Sequence, residues 1–410
     1  MTVIKSWIPS ILAVFMALPA CVQAQDQDVV RLRAGAEMER HSNLLRLDAG
    51  VSAASVYGGN VSSNSDTIIR GNLGISFDRE YSLQRFRANA LVTPAKYTNF
   101  TKFDHVGFLG DVIWDWELSG PLSGQVGFRA SQALLGFYAA ATTLTDKNMV
   151  TRTEPFFVGR LRITPSWRLR AGFDQAQIRN SLATFKVGDN TATGVEGGIE
   201  FAPGTGTEVS LNLRNVRGKY DNLQQVSLTG APIAGTGLDN SYKQNDLIAR
   251  LRVRPSEDSL LGGFLGLSKR KYDFDESRNF SGPIAGLEMQ WRPSGAFFMN
   301  ANLNKRLDSP TIFTTNHVDV TELLLRPSLV WTGKITLNGR LDYSKRNFSG
   351  DPVTNFERRD TITVVGIGAA YEYSRAFLFG LDLINESRSS NQAASDFKNT
   401  IIWLTATGRF

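Results

Sequence analysis

Residues Asp396–Phe410 read DFKNTIIWLTATGRF, and apolar and polar side chains alternate along them. Every second residue on one face is apolar or small: Ile402, Leu404, Ala406, Gly408 and Phe410. The intervening residues are mostly polar and finish with Arg409. A period of two indicates a β-strand with one apolar and one polar wall. The pattern, with an aromatic residue at its end, is typical of the closing strand of a bacterial outer-membrane β-barrel, although an ordinary edge strand would also alternate.

The first 24 residues have the features of a secretory signal. Lys5 precedes a short apolar core, Ile8–Leu18, which is followed by the small-residue cleavage site Val22–Ala24. We therefore expect a signal peptide at residues 1–24 and a barrel at residues 25–410. Lipoprotein processing at Cys21 is the alternative. Because Cys21 is the only cysteine, its removal with the signal would leave no disulfide, thiolate nucleophile or thiolate metal ligand.

Segments of alternating polarity follow one another along the rest of the chain. The connections between them are alternately short turns and longer segments. They lie near residues 29–40, 67–78, 83–98, 104–118, 123–134, 149–163, 167–180, 191–202, 207–219, 243–254, 260–273, 280–292, 296–307, 318–331, 335–348, 361–373, 376–388 and 398–410. Successive short turns are roughly 40 residues apart, a spacing that also fits the blades of a β-propeller. A blade needs four short strands per repeat, whereas each repeat here holds two long ones. We predict an all-β fold, a transmembrane antiparallel up-and-down β-barrel of about 18 strands (16–18).

The apolar face of these strands carries aromatic residues beside the short turns. They are Trp116, Trp167, Phe201, Trp291, Phe297, Trp331, Tyr373, Phe377 and Phe410. Aromatic rings are favoured at the lipid headgroup level, so this set predicts the aromatic girdle of a membrane barrel. A soluble sandwich would alternate too, but it gives no reason for aromatic residues to gather at one set of turns.

The opposite face is rich in arginine and would form the lumen. The arginines that we expect to contact a passing polyanion are Arg70, Arg85, Arg87, Arg129, Arg160, Arg162, Arg168, Arg170, Arg250, Arg252, Arg254 and Arg340. Arg160 and Arg162 precede the same turn that Arg168 and Arg170 follow, and Asp174 is the nearest inward acid on those two strands. One carboxylate cannot neutralise four guanidinium groups, so we expect their excess charge to attract anions. The Arg–carboxylate pairs elsewhere on this face are most simply structural.

Two long connections are candidates for a constriction or plug inside the lumen. Leu134–Thr145 is more apolar than a surface loop requires, and Tyr220–Ser241 lies in the one wider interval between successive short turns. Ordinary surface loops with local packing are the simpler interpretation of both.

Few residues could carry catalysis. The three histidines, His41, His105 and His317, are far apart in sequence and lack the spacing of metal ligands. His317 and Asp319 would share one face of a strand, which is more often an ordinary contact at a strand end than a catalytic pair. We expect no enzyme activity, no cofactor, no metal and no nucleic-acid partner.

The start of the mature chain resembles the EpsL-type outer-membrane proteins of exopolysaccharide biosynthesis. The similar segments are Arg31–Leu47 with Ser42–Arg46 inside it, Ser65–Ile68, Leu83–Phe86, Tyr97–Phe100 and Trp114–Trp116. Loose similarity extends along the whole barrel. The resemblance implies an outer-membrane β-barrel of a Gram-negative bacterium that belongs to an exosortase-associated polysaccharide system and serves polymer export. It implies no catalytic residues.

The favoured function is therefore a non-enzymatic channel that passes a polysaccharide, expected to be acidic, through an arginine-lined lumen. Its expected partners are outer-membrane lipid, the polysaccharide, the periplasmic and inner-membrane export machinery, and the barrel assembly machinery, which would act on Phe410. A general or anion-preferring diffusion porin is the first alternative. A barrel enzyme and a structural anchor with a filled lumen are the others.

Overall fold

The structure is a computed structural model that describes residues 29–57, 63–118, 120–137, 146–204, 206–222, 224–226, 232–237, 241–273, 276, 279–308, 317–349 and 357–410. The predicted signal peptide, residues 1–24, lies outside the described residues, as do residues 138–145 of the first candidate loop. The second candidate loop is described only in part.

Twenty strands are described. They are β1 (Val30–His41), β2 (Asp66–Tyr81), β3 (Gln84–Tyr97), β4 (His105–Glu117), β5 (Leu122–Leu134), β6 (Met149–Arg162), β7 (Trp167–Asn180), β8 (Asn190–Phe201), β9 (Thr207–Tyr220), β10 (Gln224–Val226), β11 (Pro232–Gly237), β12 (Tyr242–Ser256), β13 (Ser259–Tyr272), β14 (Phe280–Trp291), β15 (Phe297–Asp308), β16 (His317–Val330), β17 (Ile335–Ser349), β18 (Arg358–Glu372), β19 (Phe377–Ser390) and β20 (Phe397–Arg409). β10 and β11 form a small separate sheet, and the other strands form one 18-stranded sheet. All 18 predicted strands are confirmed.

Each strand of the large sheet pairs antiparallel with the next, and β20 pairs back onto β1. The sheet is therefore a closed barrel. The start of β1, the end of β20 and the short turns lie at one end of the barrel, here called the turn end. The longer connections lie at the other end, the loop end. This arrangement confirms the predicted up-and-down barrel.

The two faces of the sheet differ as the alternation predicts. On the outer face Leu265 is 71% exposed and Ile367 is 67% exposed, whereas Ile248 on the inner face is completely buried. Outward aromatic rings pair beside the turns, with ring centroids 4.8 Å apart for Trp167 and Phe201. A closed wall with an apolar exterior and an aromatic girdle is stable against lipid acyl chains, because every strand finds a hydrogen-bonding neighbour.

Prolines interrupt the ladder at defined places. The β2–β3 pairing skips the positions around Pro94, and the β16–β17 pairing skips those around Pro327. Proline has no N–H to donate, so these bonds cannot form. A glycine faces each ring: a Cβ on Gly71 would lie 3.3 Å from Cγ of Pro94, and one on Gly339 would lie 2.7 Å from Cγ of Pro327. Glycine is therefore the residue that fits opposite Pro327.

Helical structure is minor. α1 (Ala53–Tyr57) lies in the connection between β1 and β2, and two 3₁₀ helices cover Thr101–Phe103 and Ala183–Gly188. Within the described ranges, the chain has no helix of the length and apolar character that a membrane crossing demands.

Deletion of Phe410 should reduce the fraction of chain that folds into a closed barrel. The Phe410 N–H donates to the Leu32 carbonyl over 2.8 Å and its carbonyl accepts from the Leu32 N–H over 2.7 Å. Its ring packs edge-on against Phe377, with centroids 6.1 Å apart. The deletion removes both bonds and the ring contact where the sheet closes. The measurement is heat-modifiable gel migration after refolding into lipid vesicles. Phe410→Tyr is the matched control and should fold normally; equal yields for the deletion and the wild type would contradict this role.

Candidate pore lining and mouth segment

The structure places all twelve predicted lumen arginines at inward-facing positions of the barrel strands. Nine of them form ion pairs with carboxylates: Arg70 with Glu39, Arg85 with Asp78, Arg87 with Asp115, Arg129 with Glu154, Arg160 with Glu200, Arg162 with Glu117, Arg170 with Glu196, Arg250 with Glu196, and Arg340 with Asp342. The inner wall is thus a network of paired charges. Pairing of this kind holds long polar side chains in fixed positions.

The densest part of this network lies on β6, β7 and β8. Arg160 and Arg170 stand directly opposite each other in the β6–β7 pairing. Glu200 accepts from Arg160 at 3.3 Å, and Glu196 accepts from Arg170 at 3.0 Å. Both glutamates are buried. The repulsion between the two guanidinium groups is therefore compensated from the neighbouring strand.

Asp174, the acid that the sequence pattern singled out, has a different partner. It forms a two-point contact with Arg214 on β9, at 2.6 and 2.8 Å. Arg162 has a long contact, 3.9 Å, with Glu117 on β4. Three of the four arginines around this turn thus have carboxylate partners, all from strands other than β6 and β7. A comparison of β6 and β7 alone misses these acids, because Glu196 and Glu200 lie on the next strand, β8.

Three of the predicted arginines keep no ion pair in the described part of the chain. They are Arg168 on β7, and Arg252 and Arg254 on β12. Arg252 and Arg254 are exposed, and all three lie towards the turn end. Glu208 stands opposite Arg252 in the β9–β12 pairing but forms no ion pair with it. Three inward-facing guanidinium groups without an ion pair therefore lie towards the turn end, on β7 and β12, with the carboxylate of Glu208 among them.

The inner wall changes from exposed to buried between the two ends of the barrel. On β3, Arg85 at the turn end is exposed, whereas Tyr97 at the loop end is 5% exposed. On β12, Arg254 is exposed and Tyr242 is 6% exposed. Side chains at the loop end are therefore covered by other parts of the chain, while those at the turn end remain accessible.

The connection between β1 and β2 provides part of this cover. The mouth segment, defined as residues 42–57 and 63–65, packs an apolar group against the inner wall at the loop end. Its buried residues are Leu44, Leu45, Leu47 and Ala53. They contact Ile68 on β2 together with Ala95 and Tyr97 on β3. Sequence analysis did not select this connection, although its Leu-Leu-Arg-Leu run, residues 44–47, is the apolar signal that could have identified it.

A buried ion pair fixes the mouth segment to the far side of the closing seam. The Arg46 guanidinium lies 2.8 Å from a Glu386 carboxylate oxygen on β19, with both side chains largely buried. Arg46 adopts a left-handed backbone conformation, φ 56°. A residue with a Cβ is disfavoured there. The neighbouring Asn43 accepts from the Leu47 N–H and donates to the Leu47 carbonyl, which closes the turn around Arg46.

Neighbouring loops extend the apolar cluster. Phe100 and Phe103, in the β3–β4 connection, are almost completely buried in it. Phe137 packs edge-on against Phe103 with ring centroids 5.0 Å apart, and Leu134 is also part of the cluster. The described start of Leu134–Thr145 thus packs with the mouth segment. Of the second candidate loop, Tyr220 is buried in a separate cluster with Tyr242 and Tyr272.

Asp104 orders the β3–β4 connection beneath this cluster. Its carboxylate accepts from the Tyr97 N–H over 2.8 Å and contacts the Lys96 ammonium at 2.9 Å. Partial burial acts to raise the pKa of Asp104, but these two contacts outweigh it and lower the pKa below its ordinary value. The carboxylate is therefore ionised at neutral pH and its contribution to loop order is lost only as pH falls through that lowered value.

The histidines show no nucleophile-and-base arrangement among the described residues. His41 is buried at the loop end; one ring nitrogen lies 2.9 Å from Glu39 and the other 3.2 Å from the Asn399 amide. Neither nitrogen contacts a hydroxyl group, which general-base activation of a nucleophile would require. His317 Nδ1 and Asp319 Oδ1 have no hydrogen-bond partner in the described part of the chain, and the other Asp319 oxygen lies 3.6 Å from the Lys305 ammonium.

Part of the chain is similar to a known protein family. Residues 259–410, from β13 to the end of the chain, match the family described as "Putative beta-barrel porin 2". No curated protein sequence shows significant similarity to the chain. The match covers the C-terminal part of the closed barrel, so this part of the chain is similar to that family.

Solved structures with a similar arrangement include outer-membrane channels. OpdK of Pseudomonas aeruginosa, solved with vanillate, is 12% identical with a TM-score of 0.48, and the alignment covers 93% of this chain and 99% of that one. A BenF-like porin from Pseudomonas fluorescens Pf-5 is 10% identical with a TM-score of 0.48, covering 94% and 99%.

Replacement of Arg46 by Glu should release the mouth segment. The substitution places two carboxylates in a buried contact, and loss of a buried ion pair costs about 3–5 kcal/mol. Chymotrypsin should then cleave after Leu44, Leu45 or Leu47. In the wild type we expect these sites to be protected. The double variant Arg46→Glu/Glu386→Arg restores opposite charges and should restore protection. Equal cleavage of the wild type and the single variant would show that the ion pair does not hold the segment.

Proposed function

We propose that the chain is an outer-membrane pore component through which a polysaccharide leaves a Gram-negative cell. The observation that carries the proposal is the charge distribution of the lumen. Along most of the wall, carboxylates form ion pairs with the arginine guanidinium groups. In the described part of the chain, Arg168, Arg252 and Arg254 at the turn end have no ion-pair partner. β1 begins and β20 ends at the turn end, which would face the periplasm in the usual orientation of such barrels. An acidic polymer arriving from the periplasm would meet the free positive charge first.

The proposal assigns partners to each surface. The apolar exterior would lie in outer-membrane lipid, and the periplasmic turns would adjoin the export machinery that supplies the polymer. The barrel assembly machinery would insert the chain. The resemblance of the N-terminal segments to EpsL-type proteins supports polysaccharide as the cargo. The lumen would act by providing a hydrated, charged path, without a chemical step.

A diffusion porin is the second candidate, and the mouth segment favours it. A folded segment that narrows a barrel mouth is a simple means of limiting solute size. The buried contacts of Leu44, Leu45 and Leu47 hold this segment against the inner wall at the loop end. A small-anion porin would use the same basic entrance at the turn end. The two candidates differ in cargo size and in direction of transport.

Deletion of the gene separates these candidates. If the chain exports polysaccharide, the deletion strain should lose secreted polymer or retain it in the periplasm, while uptake of small anions stays normal. Complementation with the wild-type gene is the control. Unchanged polymer secretion together with slowed small-anion uptake would instead identify a diffusion porin.

The basic entrance predicts an electrical property. In a planar bilayer the channel should prefer anions at low salt, and the preference should fade as salt shortens the screening length to about 3 Å at 1 M. Replacing Arg168, Arg252 and Arg254 together with Ser should reduce or reverse the selectivity. Replacing the paired Arg160 or Arg170 is a poor test because it leaves a buried glutamate unpaired. Cation selectivity of the unmodified channel would contradict a basic entrance.

A further inference from the structure

The inner wall of β14 and β15 carries a strip of amide side chains, with the carboxylate of Glu288 at the inward position opposite Asn302. Asn300, Asn302 and Asn304 occupy three successive inward positions of β15, and Gln290 stands opposite Asn300 on β14. The three asparagines are half-buried and Gln290 is exposed. At about 6.8 Å for every second residue, the asparagines extend over roughly 14 Å of the wall.

These amides keep free hydrogen-bonding groups. Within the described part of the chain, none of the four side chains has a hydrogen-bond partner, in contrast to Asn89, whose amide contacts Asp111 at 3.2 Å. Each amide offers two donors and one acceptor. Polar groups at accessible positions that the protein leaves unpaired are those available to a solute.

Two aromatic rings border the amide strip. Phe298 occupies the next inward position of β15 towards the turn end. Phe264 on β13 extends over Gly286, where a Cβ would lie 2.2 Å from its ring; Asn304 also approaches Gly286, with Oδ1 2.7 Å from the same point. Glycine at position 286 thus makes room for a ring and an amide side by side. The strip therefore presents apolar surfaces next to donors and acceptors.

This combination matches the chemistry of a saccharide. Vicinal hydroxyl groups both donate and accept hydrogen bonds, as an amide does, and the C–H face of a sugar ring packs against an aromatic ring. A carboxylate offers acceptors only and has no use for the amide oxygens. We propose that the amide strip, Asn300, Asn302, Asn304 and Gln290 with Phe264 and Phe298, binds hydroxyl groups of a saccharide. The inference rests on the proposed function and names the part of the cargo that the wall recognises.

Calorimetric titration of the folded full-length mature protein with maltohexaose, a neutral probe, tests the strip. The wild type should bind it, and Asn300→Leu/Asn302→Leu/Asn304→Leu should weaken binding at least about tenfold, since three hydrogen bonds are removed at similar side-chain size. Asn89→Leu, which alters an amide that already contacts Asp111, is the matched control and should bind as the wild type does. Heat-modifiable migration verifies that each variant is folded.

Two outcomes would overturn the proposal: no binding of maltohexaose by the wild type, or equal binding by the wild type and the triple variant. Replacement of Arg168, Arg252 and Arg254 by Ser should leave binding of this uncharged probe unchanged, which separates the strip from the basic entrance. If the protein binds the saccharide but the deletion strain secretes polymer normally, the export function is rejected and the saccharide site is kept. If the deletion strain loses secretion but the protein does not bind the saccharide, the saccharide site is rejected and the export function is kept.

Discussion

Closure of the backbone hydrogen-bond ladder is the constraint on which the rest of the structure depends. In lipid, an unpaired strand edge would leave a row of N–H and C=O groups without partners, so the sheet must join its last strand to its first. Here β20 pairs with β1, and the Phe410 and Leu32 backbones exchange two hydrogen bonds at the end of that seam. Prolines are tolerated within the ladder only where the pairing already breaks.

Closure also determines where polar side chains can go. With lipid outside, charged residues must face the lumen, and a lumen rich in arginine must compensate its charge. Buried Glu196 and Glu200 do so for Arg160 and Arg170 across three strands. Among the twelve predicted lumen arginines, the three without an ion pair in the described part of the chain lie towards the turn end. The amides of β15 line another part of the inner wall, where Glu288 stands opposite Asn302.

The loop end shows how a connection can become part of the pore. Leucines of the mouth segment would be exposed on an ordinary surface loop, and burial against Ile68 and Tyr97 removes their apolar surface from water. The ion pair between Arg46 and Glu386 then fixes the segment across the closing seam.

The sequence by itself determined the strands, their number and their two faces, because a period of two is a local property that lipid outside and water inside make strict. The twelve arginines that it selected also lie on the inner face. Only the tertiary structure decided which of them are neutralised, since Glu196 and Asp174 meet their partners on other strands, 26 and 40 residues away in sequence. It likewise decided that residues 42–57 pack against the inner wall, because the surfaces that receive them, such as Tyr97 and Glu386, come together only once the barrel has closed.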